Sequence, residues 1–189
     1  MPKLQTYISI LRGINVSGQK LIKMDALRQM YEDLGFQSVQ SYIQSGNVIF
    51  QSKDTPNSEL EKTITSKISD VFGFDVPVLV LSLEEMKTVA ENNPFINVRH
   101  EDINFLYVTF LADVPEQALI DKIRNDVKTD DEFEVIGKAI YLFCPKNYGK
   151  SKLNNNFFES KLKTHATTRN WKTVLELGKI SKVLPLHSF

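Results

Sequence analysis

A single cysteine, Cys144, occurs in 189 residues, so no disulfide can form within the chain and the fold must rest on burial and hydrogen bonding. Long hydrophobic runs are missing too: no apolar stretch approaches the roughly 20 residues that a membrane-spanning helix needs. The start, Met1-Pro2-Lys3-Leu4, has no apolar segment of the kind a secretory signal carries. Net charge is absent, 23 basic residues against 23 acidic ones, which removes any global field toward nucleic acid or an anionic membrane. Histidine is scarce, and His100, His165 and His187 show neither metal-ligand nor triad spacing. Neither a metal nor a cofactor is therefore expected, and no catalytic residue can be named. These absences together predict a soluble, cytoplasmic protein with no membrane partner; the oligomeric state stays open.

What is present is ordinary core material. Apolar residues make up 42% and aromatic residues 10%, enough for one large domain or two small ones. Cys144 ends the apolar run 139–144, where a buried strand thiol is expected. Charge is unevenly spread: residues 138–182 hold ten Lys or Arg against two acids, and residues 101–134 hold ten acids against three basic residues. Such a split marks either a basic binding face or two solvated or mutually facing segments.

Hydrophobic periodicity sets the element order. Residues 4–11 alternate as a strand, with Leu4, Thr6, Ile8 and Ile10 on one face. A loop over residues 12–23 leads to a helix over 24–34 with Leu27, Met30 and Tyr31 at helical spacing, stopped by Gly35. Residues 36–44 and 48–52 read as a hairpin around Ser45-Gly46-Asn47, with the positive φ at Gly46 or Asn47. Ser58-Glu59-Leu60-Glu61 reads as a capping box for a helix carrying Leu60, Ile64 and Ile68, and residues 76–81 form a further strand. This β-α-β-β-α-β order is the ferredoxin-like, or split βαβ, arrangement. A linking helix from Ser82 precedes a near repeat, β-α-β-β-α: a strand at 105–111, a helix from Pro115, two strands around Gly137-Lys138 and a helix near 153–162. A final helix from about Asn170 carries Trp171, Val174 and Leu177 and stops at Gly178. The predicted class is α+β, two ferredoxin-like half-units whose antiparallel sheets carry helices on one face. Its boundaries are residues 1–81, a linker at 82–103, and 104–189.

Two segments suggest chemistry. The loop Gly13-Ile14-Asn15-Val16-Ser17-Gly18-Gln19-Lys20 superficially matches a phosphate-cradling loop, but its lysine falls one place late and Leu21 stands where a magnesium-binding hydroxyl is needed. Split βαβ topology should bring this loop beside the hairpin turn, gathering Arg12, Asn15, Ser17, Gln44, Ser45 and Asn47 at one mouth. Arginine can hold a carboxylate or phosphate bidentately and the amides both donate and accept, so the set suits a small anionic ligand. Turn chemistry alone also accounts for Ser, Gly and Asn here. The second segment is Lys146-Asn147-Tyr148-Gly149-Lys150-Ser151-Lys152 with residues 164–171. Its lysines, Tyr148, Arg169 and Trp171 could track a phosphate backbone and stack on bases. Equally, Thr168 or Asn170 could cap the last helix and Trp171 anchor the core.

The residues Leu11-Arg12-Gly13-Ile14-Asn15-Val16-Ser17-Gly18, Met24, Leu27 and Tyr42-Ile43-Gln44-Ser45-Gly46-Asn47-Val48-Ile49-Phe50 resemble the Domain of Unknown Function 1697 family. Thr167-Thr168-Arg169-Asn170-Trp171-Lys172-Thr173-Val174 is similar to that family's second signature, although Ser17 stands where a second glycine is usual. The resemblance implies a bacterial α+β protein of ferredoxin-like units and no activity. Three functions follow as expectations: a binding module for a small anionic or phosphate-containing ligand at 12–18 and 44–47, with Arg169 and Asn170 nearby; a small transferase or hydrolase at the same cluster; or nucleic-acid binding by residues 146–182.

Overall fold

The apolar strands within residues 4–82 build the first antiparallel sheet of the computed structural model, which describes residues 4–183. Strand β1 (Leu4–Leu11) is followed by α1 (Met24–Asp33), β2 (Gln37–Tyr42), β3 (Asn47–Lys53), α2 (Asn57–Phe72) and β4 (Val78–Ser82). The strands lie in the order β2-β3-β1-β4. Strand β1 is central, antiparallel to β3 with Tyr7 opposite Phe50 and Ile10 opposite Asn47, and antiparallel to β4 with Ile8 opposite Leu81. One face packs on α1 and α2: Tyr7, Leu11, Val48, Phe50, Val78 and Val80 meet Leu27, Met30, Tyr31, Leu60, Ile64 and Ile68. Phe50 is the hub. Its ring stacks on Phe36 at 4.5 Å and on Tyr7 at 5.7 Å, and meets the Tyr31 ring edge-on at 5.4 Å. Burial of a phenylalanine this completely contributes roughly 2–3 kcal/mol. Ile8, Ile10, Ile49 and Leu79 alternate to the other face and are buried as well, so the alternating strand β1 is buried on both sides.

Polar groups in this core are satisfied in chains. The Ser9 hydroxyl lies 3.3 Å from the Val48 carbonyl, to which it can donate, and shares a 2.7 Å hydrogen bond with the Tyr31 hydroxyl in which either oxygen can be the donor. Burial raises the Tyr31 phenol well above its usual range, with the Ser9 hydrogen bond opposing the shift.

Helix starts separate the two S-x-x-E motifs. Ser82 accepts from the Glu85 N–H at 3.2 Å while Glu85 accepts from the Ser82 N–H at 2.7 Å, a reciprocal capping box opening α3 (Leu83–Glu91). The motif at Ser58 behaves otherwise. Pro56 is the N-cap of α2, Ser58 lies inside the helix, and Glu61 accepts from the Val80 N–H at 2.9 Å, covering a donor on an edge strand. In the hairpin turn the left-handed residues are Ile43 and Gly46, and Asn47 already belongs to β3.

After α3 comes the short α4 (Pro94–Asn97), whose N-cap Asn93 accepts from the Phe95 N–H at 3.0 Å. The pattern then repeats as β5 (Leu106–Leu111), α5 (Gln117–Asp126), β6 (Glu132–Ile136), β7 (Ala139–Phe143), α6 (Asn155–Leu162) and β8 (Ala166–Asn170), with sheet order β6-β7-β5-β8. Both sheets thus have the same ferredoxin-like order, and the second is complete. Strand β8 escapes sequence reading because its inward positions include Thr167 and Arg169, and a polar strand leaves no apolar alternation to detect. Helix α5 begins two residues after Pro115. Leu111, Ile120, Ile123, Phe133, Ile140, Leu142 and Phe158 form the core between this sheet and its helices. Helix α7 (Trp171–Val183) runs through Gly178 instead of stopping there, and Trp171, Val174 and Leu177 are buried as expected. Two compact units result, one reaching to Thr88 and including the chain from Glu176, the other Val89–Leu175. Among the described residues no helix is long and apolar enough to cross a membrane.

Ser9→Ala leaves the buried Tyr31 hydroxyl without its hydrogen-bond partner and should cost about 1–3 kcal/mol in urea unfolding, whereas Tyr31→Phe leaves Ser9 bonded to Val48 and should cost less. Equal losses from the two single variants would refute the view that Ser9 has a second partner and Tyr31 has not.

Candidate functional site

The first unit places its loops by backbone contact. Where β1 ends, the Leu11 N–H donates to the Gly46 carbonyl at 2.8 Å and the Arg12 N–H to the Pro77 carbonyl at 2.9 Å. The chain then forms a miniature hairpin within residues 12–23. Val16 and Gln19 bridge, the Gln19 N–H donates to Val16 at 2.9 Å and the Asn15 N–H to Lys20 at 3.2 Å. Ser17 and Gly18 turn it with φ of 51° and 75°, the paired left-handed residues of a tight two-residue turn. Ile14 and Ile22 root its base in the core.

Asn15 fastens this hairpin to the neighbouring turn. Its Nδ2 donates to the Ile22 carbonyl at 3.0 Å and to the Gln44 carbonyl at 2.9 Å, while its Oδ1 accepts from the Ile22 N–H at 2.8 Å. Asn47 is fully buried and works inward, donating to the Tyr42 carbonyl and to Ser45 Oγ, both at 3.0 Å. A Cβ at position 46 would lie 2.7 Å from Ile14 Cδ1 and 2.8 Å from Leu11 Cβ, so only glycine fits between turn and strand end. Lys20 donates to the Asp75 carbonyl. With its lysine and two amides spent on internal bonds, the hairpin departs from a phosphate-cradling loop in geometry as well as in spacing.

Arg12, Asn15, Ser17, Gln44, Ser45 and Asn47 are therefore gathered on two adjoining loops. Asn15 and Asn47 are structural, Ser17 and Gln44 are exposed, and Arg12 and Ser45 are half-buried. Val16, Leu21 and Ile43 form an exposed apolar fringe around them.

Arg169 and Asn170 belong to β8 of the second unit. Asn170 accepts from the Thr173 N–H at 2.8 Å and caps α7. Arg169 is buried opposite Val108, donates to the Thr168 carbonyl at 3.0 Å, and has its pKa pushed down to about 10 by burial, against the opposing influence of Tyr148. The Tyr148 ring stacks on Tyr107 at 4.9 Å and its hydroxyl donates to Thr168 at 3.0 Å, while Trp171 is buried beside Tyr141. Neither ring is presented for stacking on a base. Lys146, Lys150 and Lys152 instead line a cleft of about 680 Å³ together with Lys128, Asp130 and Asp131. Sequence reasoning missed those last three because they lie in the acidic segment, and only the fold carries them to the lysine loop.

Cys144 is buried immediately after β7, and burial, with the Asp131 charge adding to it, pushes its thiol up to about 12 against the opposing influence of Ser151. Among the described residues no group of three or more His, Cys, Asp or Glu is placed to share a metal ion; His187 lies outside them, as do Met1, Pro2 and Lys3.

The model of a family described as "Protein of unknown function (DUF1697)" matches residues 4–141. The chain belongs to this family. Its DUF1697 match takes in both loops of the site and the strands that hold them. A solved structure of the conserved bacterial protein SP0830 from Streptococcus pneumoniae is similar over 94% of this chain and 99% of that one, with 26% identity and a TM-score of 0.73. No curated protein matches the chain.

Two outcomes follow from the geometry. Asn15 sits at φ 54°, so Asn15→Gly should lose its side-chain hydrogen bonds at a cost of about 1–3 kcal/mol, and Asn15→Ala should cost more because it adds left-handed strain. Thermal unfolding showing alanine no worse than glycine would contradict that account. The Cys144 thiol, raised from 9.0 to about 12, stays protonated longer in the folded state, so stability it contributes below pH 9.0 is lost as pH climbs toward 12. Cys144→Ser should flatten that alkaline decline in denaturation midpoints.

Proposed function

We propose that the protein is a binding module whose first unit recognises a small anionic or phosphate-bearing ligand along the edge formed by residues 12–18 and 44–47. Arg12 supplies the charge and a planar pair of donors, Ser17 and Ser45 supply hydroxyls, and Gln44 supplies an amide that can donate or accept. Asn15 and Asn47 fix the backbone from which these groups project. The observation that carries this reading is the Asn15 side chain, bonded to Ile22 on one loop and to Gln44 on the other, which makes two loops a single preordered edge. Preordering removes an entropic cost that a flexible loop would meet on binding.

Comparison of the two units adds support. Both have the same strand order, yet twelve residues, 12–23, separate β1 from α1, whereas five, 112–116, separate β5 from α5. The topology is satisfied by the short connection, so the longer ordered one has a use other than closure. Asn170 is committed to capping α7, and the reading rests on the residues of the first unit. A cytoplasmic setting belongs to the same proposal, since the lone thiol is buried and needs no oxidised partner.

Titration of ¹⁵N-labelled protein with inorganic phosphate should produce saturable shifts at the amides of Gly13, Ser17, Gly18 and Gln44. Gln44→Ala and Ser17→Ala should weaken those shifts without lowering the melting temperature. Amides in this edge that stay in place at saturating phosphate would sink the reading.

A further inference from the structure

The second unit holds a concave site that the loop edge of the first does not explain. Its cleft of about 680 Å³ falls within the roughly 300–1,000 Å³ typical of small-molecule sites. Four lysines line it: Lys128 from the segment before β6, and Lys146, Lys150 and Lys152 from the segment after β7. The two acids in the wall are already engaged. Asp130 pairs with Lys146, and that hydrogen bond holds the carboxyl below its usual range and the ammonium above it. Asp131 accepts from the Ser151 hydroxyl at 2.7 Å. Lys128, Lys150 and Lys152 make no ion pair among the described residues.

The backbone carrying three of these lysines is held in one shape. The Asn147 N–H donates to the Cys144 carbonyl at 3.1 Å, its side chain accepts from the Gly149 N–H at 3.0 Å, and the Lys150 N–H returns to the Asn147 carbonyl at 3.1 Å. Buried Ser151 separates Lys150 from Lys152, and its Oγ also accepts from the Leu153 N–H at 2.9 Å. Tyr148 is tied down by the Tyr107 ring and by Thr168, whose own proton goes to Asn155 at 2.7 Å. Four ammonium groups are therefore gathered against two carboxylates around one hollow, three of them on a backbone held in one shape.

We propose that this cleft binds a compact polyanion bearing two or more linked phosphates. Concavity and clustered ammonium groups favour several closely spaced negative charges over a single carboxylate, since each flexible lysine acts as a point charge and can meet a different phosphate oxygen. A nucleic-acid strand is disfavoured because Tyr148 and Trp171, the two rings that the sequence offered for base stacking, are both committed to packing.

Isothermal titration of the full chain with tripolyphosphate at low salt should show binding that weakens as salt is raised. Lys150→Gln/Lys152→Gln should weaken it roughly tenfold or more, as should Lys128→Gln combined with Lys150→Gln. Lys62→Gln, on exposed α2 of the first unit, should change nothing, and all these exposed substitutions should leave the melting temperature in place. Absence of binding at low salt, or an equal loss with Lys62→Gln, overturns the proposal. Tighter retention of a single-stranded oligonucleotide than of tripolyphosphate, with the same lysine dependence, overturns the compact-ligand assignment. The loop-edge variants Ser17→Ala and Gln44→Ala should leave the component of tripolyphosphate binding that depends on Lys150 and Lys152 unchanged, so this site and the first-unit edge succeed or fail separately.

Discussion

There is no space for a Cβ at position 46, and the arrangement of the first unit's loops follows from that constraint. The Gly46 carbonyl accepts from Leu11 at 2.8 Å, while Ile14 and Leu11 close over the position a side chain would occupy. Once the turn lies that close to the end of β1, the Gln44 carbonyl is within reach of Asn15, and the hairpin of residues 12–23 gains an anchor outside itself. The same register, with Ile10 opposite Asn47, buries the Asn47 side chain under the turn that it braces. A tight steric fit thus sets the positions of polar groups several residues away, and it does so through the backbone.

The second unit repeats the hydrogen bond without the elaboration. Leu111 N–H donates to the Lys138 carbonyl at 2.8 Å, the counterpart of Leu11 to Gly46, and Ala112 N–H donates to His165 as Arg12 does to Pro77. Here the connection to the following helix is short, and the β6–β7 turn is little more than Gly137-Lys138. What the second unit elaborates is the segment after β7, which carries the lysines. Two copies of one topology have therefore placed their polar loops at different joints of the same scaffold, as expected when the core fixes the strands and the connections are free to diverge.

Legibility in the sequence tracked apolar spacing closely. Helices α1 and α2 could be read because their buried residues recur at helical spacing, and strands β1 and β7 because each is a short apolar run between turn residues. Strand β8 could not, since its buried positions include Thr167 and Arg169, and Thr168 and Arg169 are satisfied through hydrogen bonds that leave no periodic trace. The S-x-x-E motifs show how a local rule yields to tertiary demand: Glu85 closes its capping box, whereas Glu61 is taken by the Val80 N–H of an edge strand. Convergence of the two loops of the first unit was legible from topology. The division of labour within it was not, because asparagine in a turn has the same composition whether it braces the turn, as Asn47 does, or faces solvent.

That division bears on how charge is used in each unit. In the first, Lys20 donates to a backbone carbonyl and the solvent-facing edge is built mainly from neutral donors and acceptors around a single arginine, an arrangement that discriminates by geometry. In the second, ammonium groups crowd a hollow whose two acids are already bonded, an arrangement that attracts by charge and tolerates variation in shape. The near cancellation of charge over the whole chain conceals this second arrangement, because the balancing acids are concentrated in residues 101–134 and most of them lie outside the cleft. A neutral total is therefore compatible with a cleft lined by four lysines and two aspartates, provided that the fold separates the charges which the sequence balances.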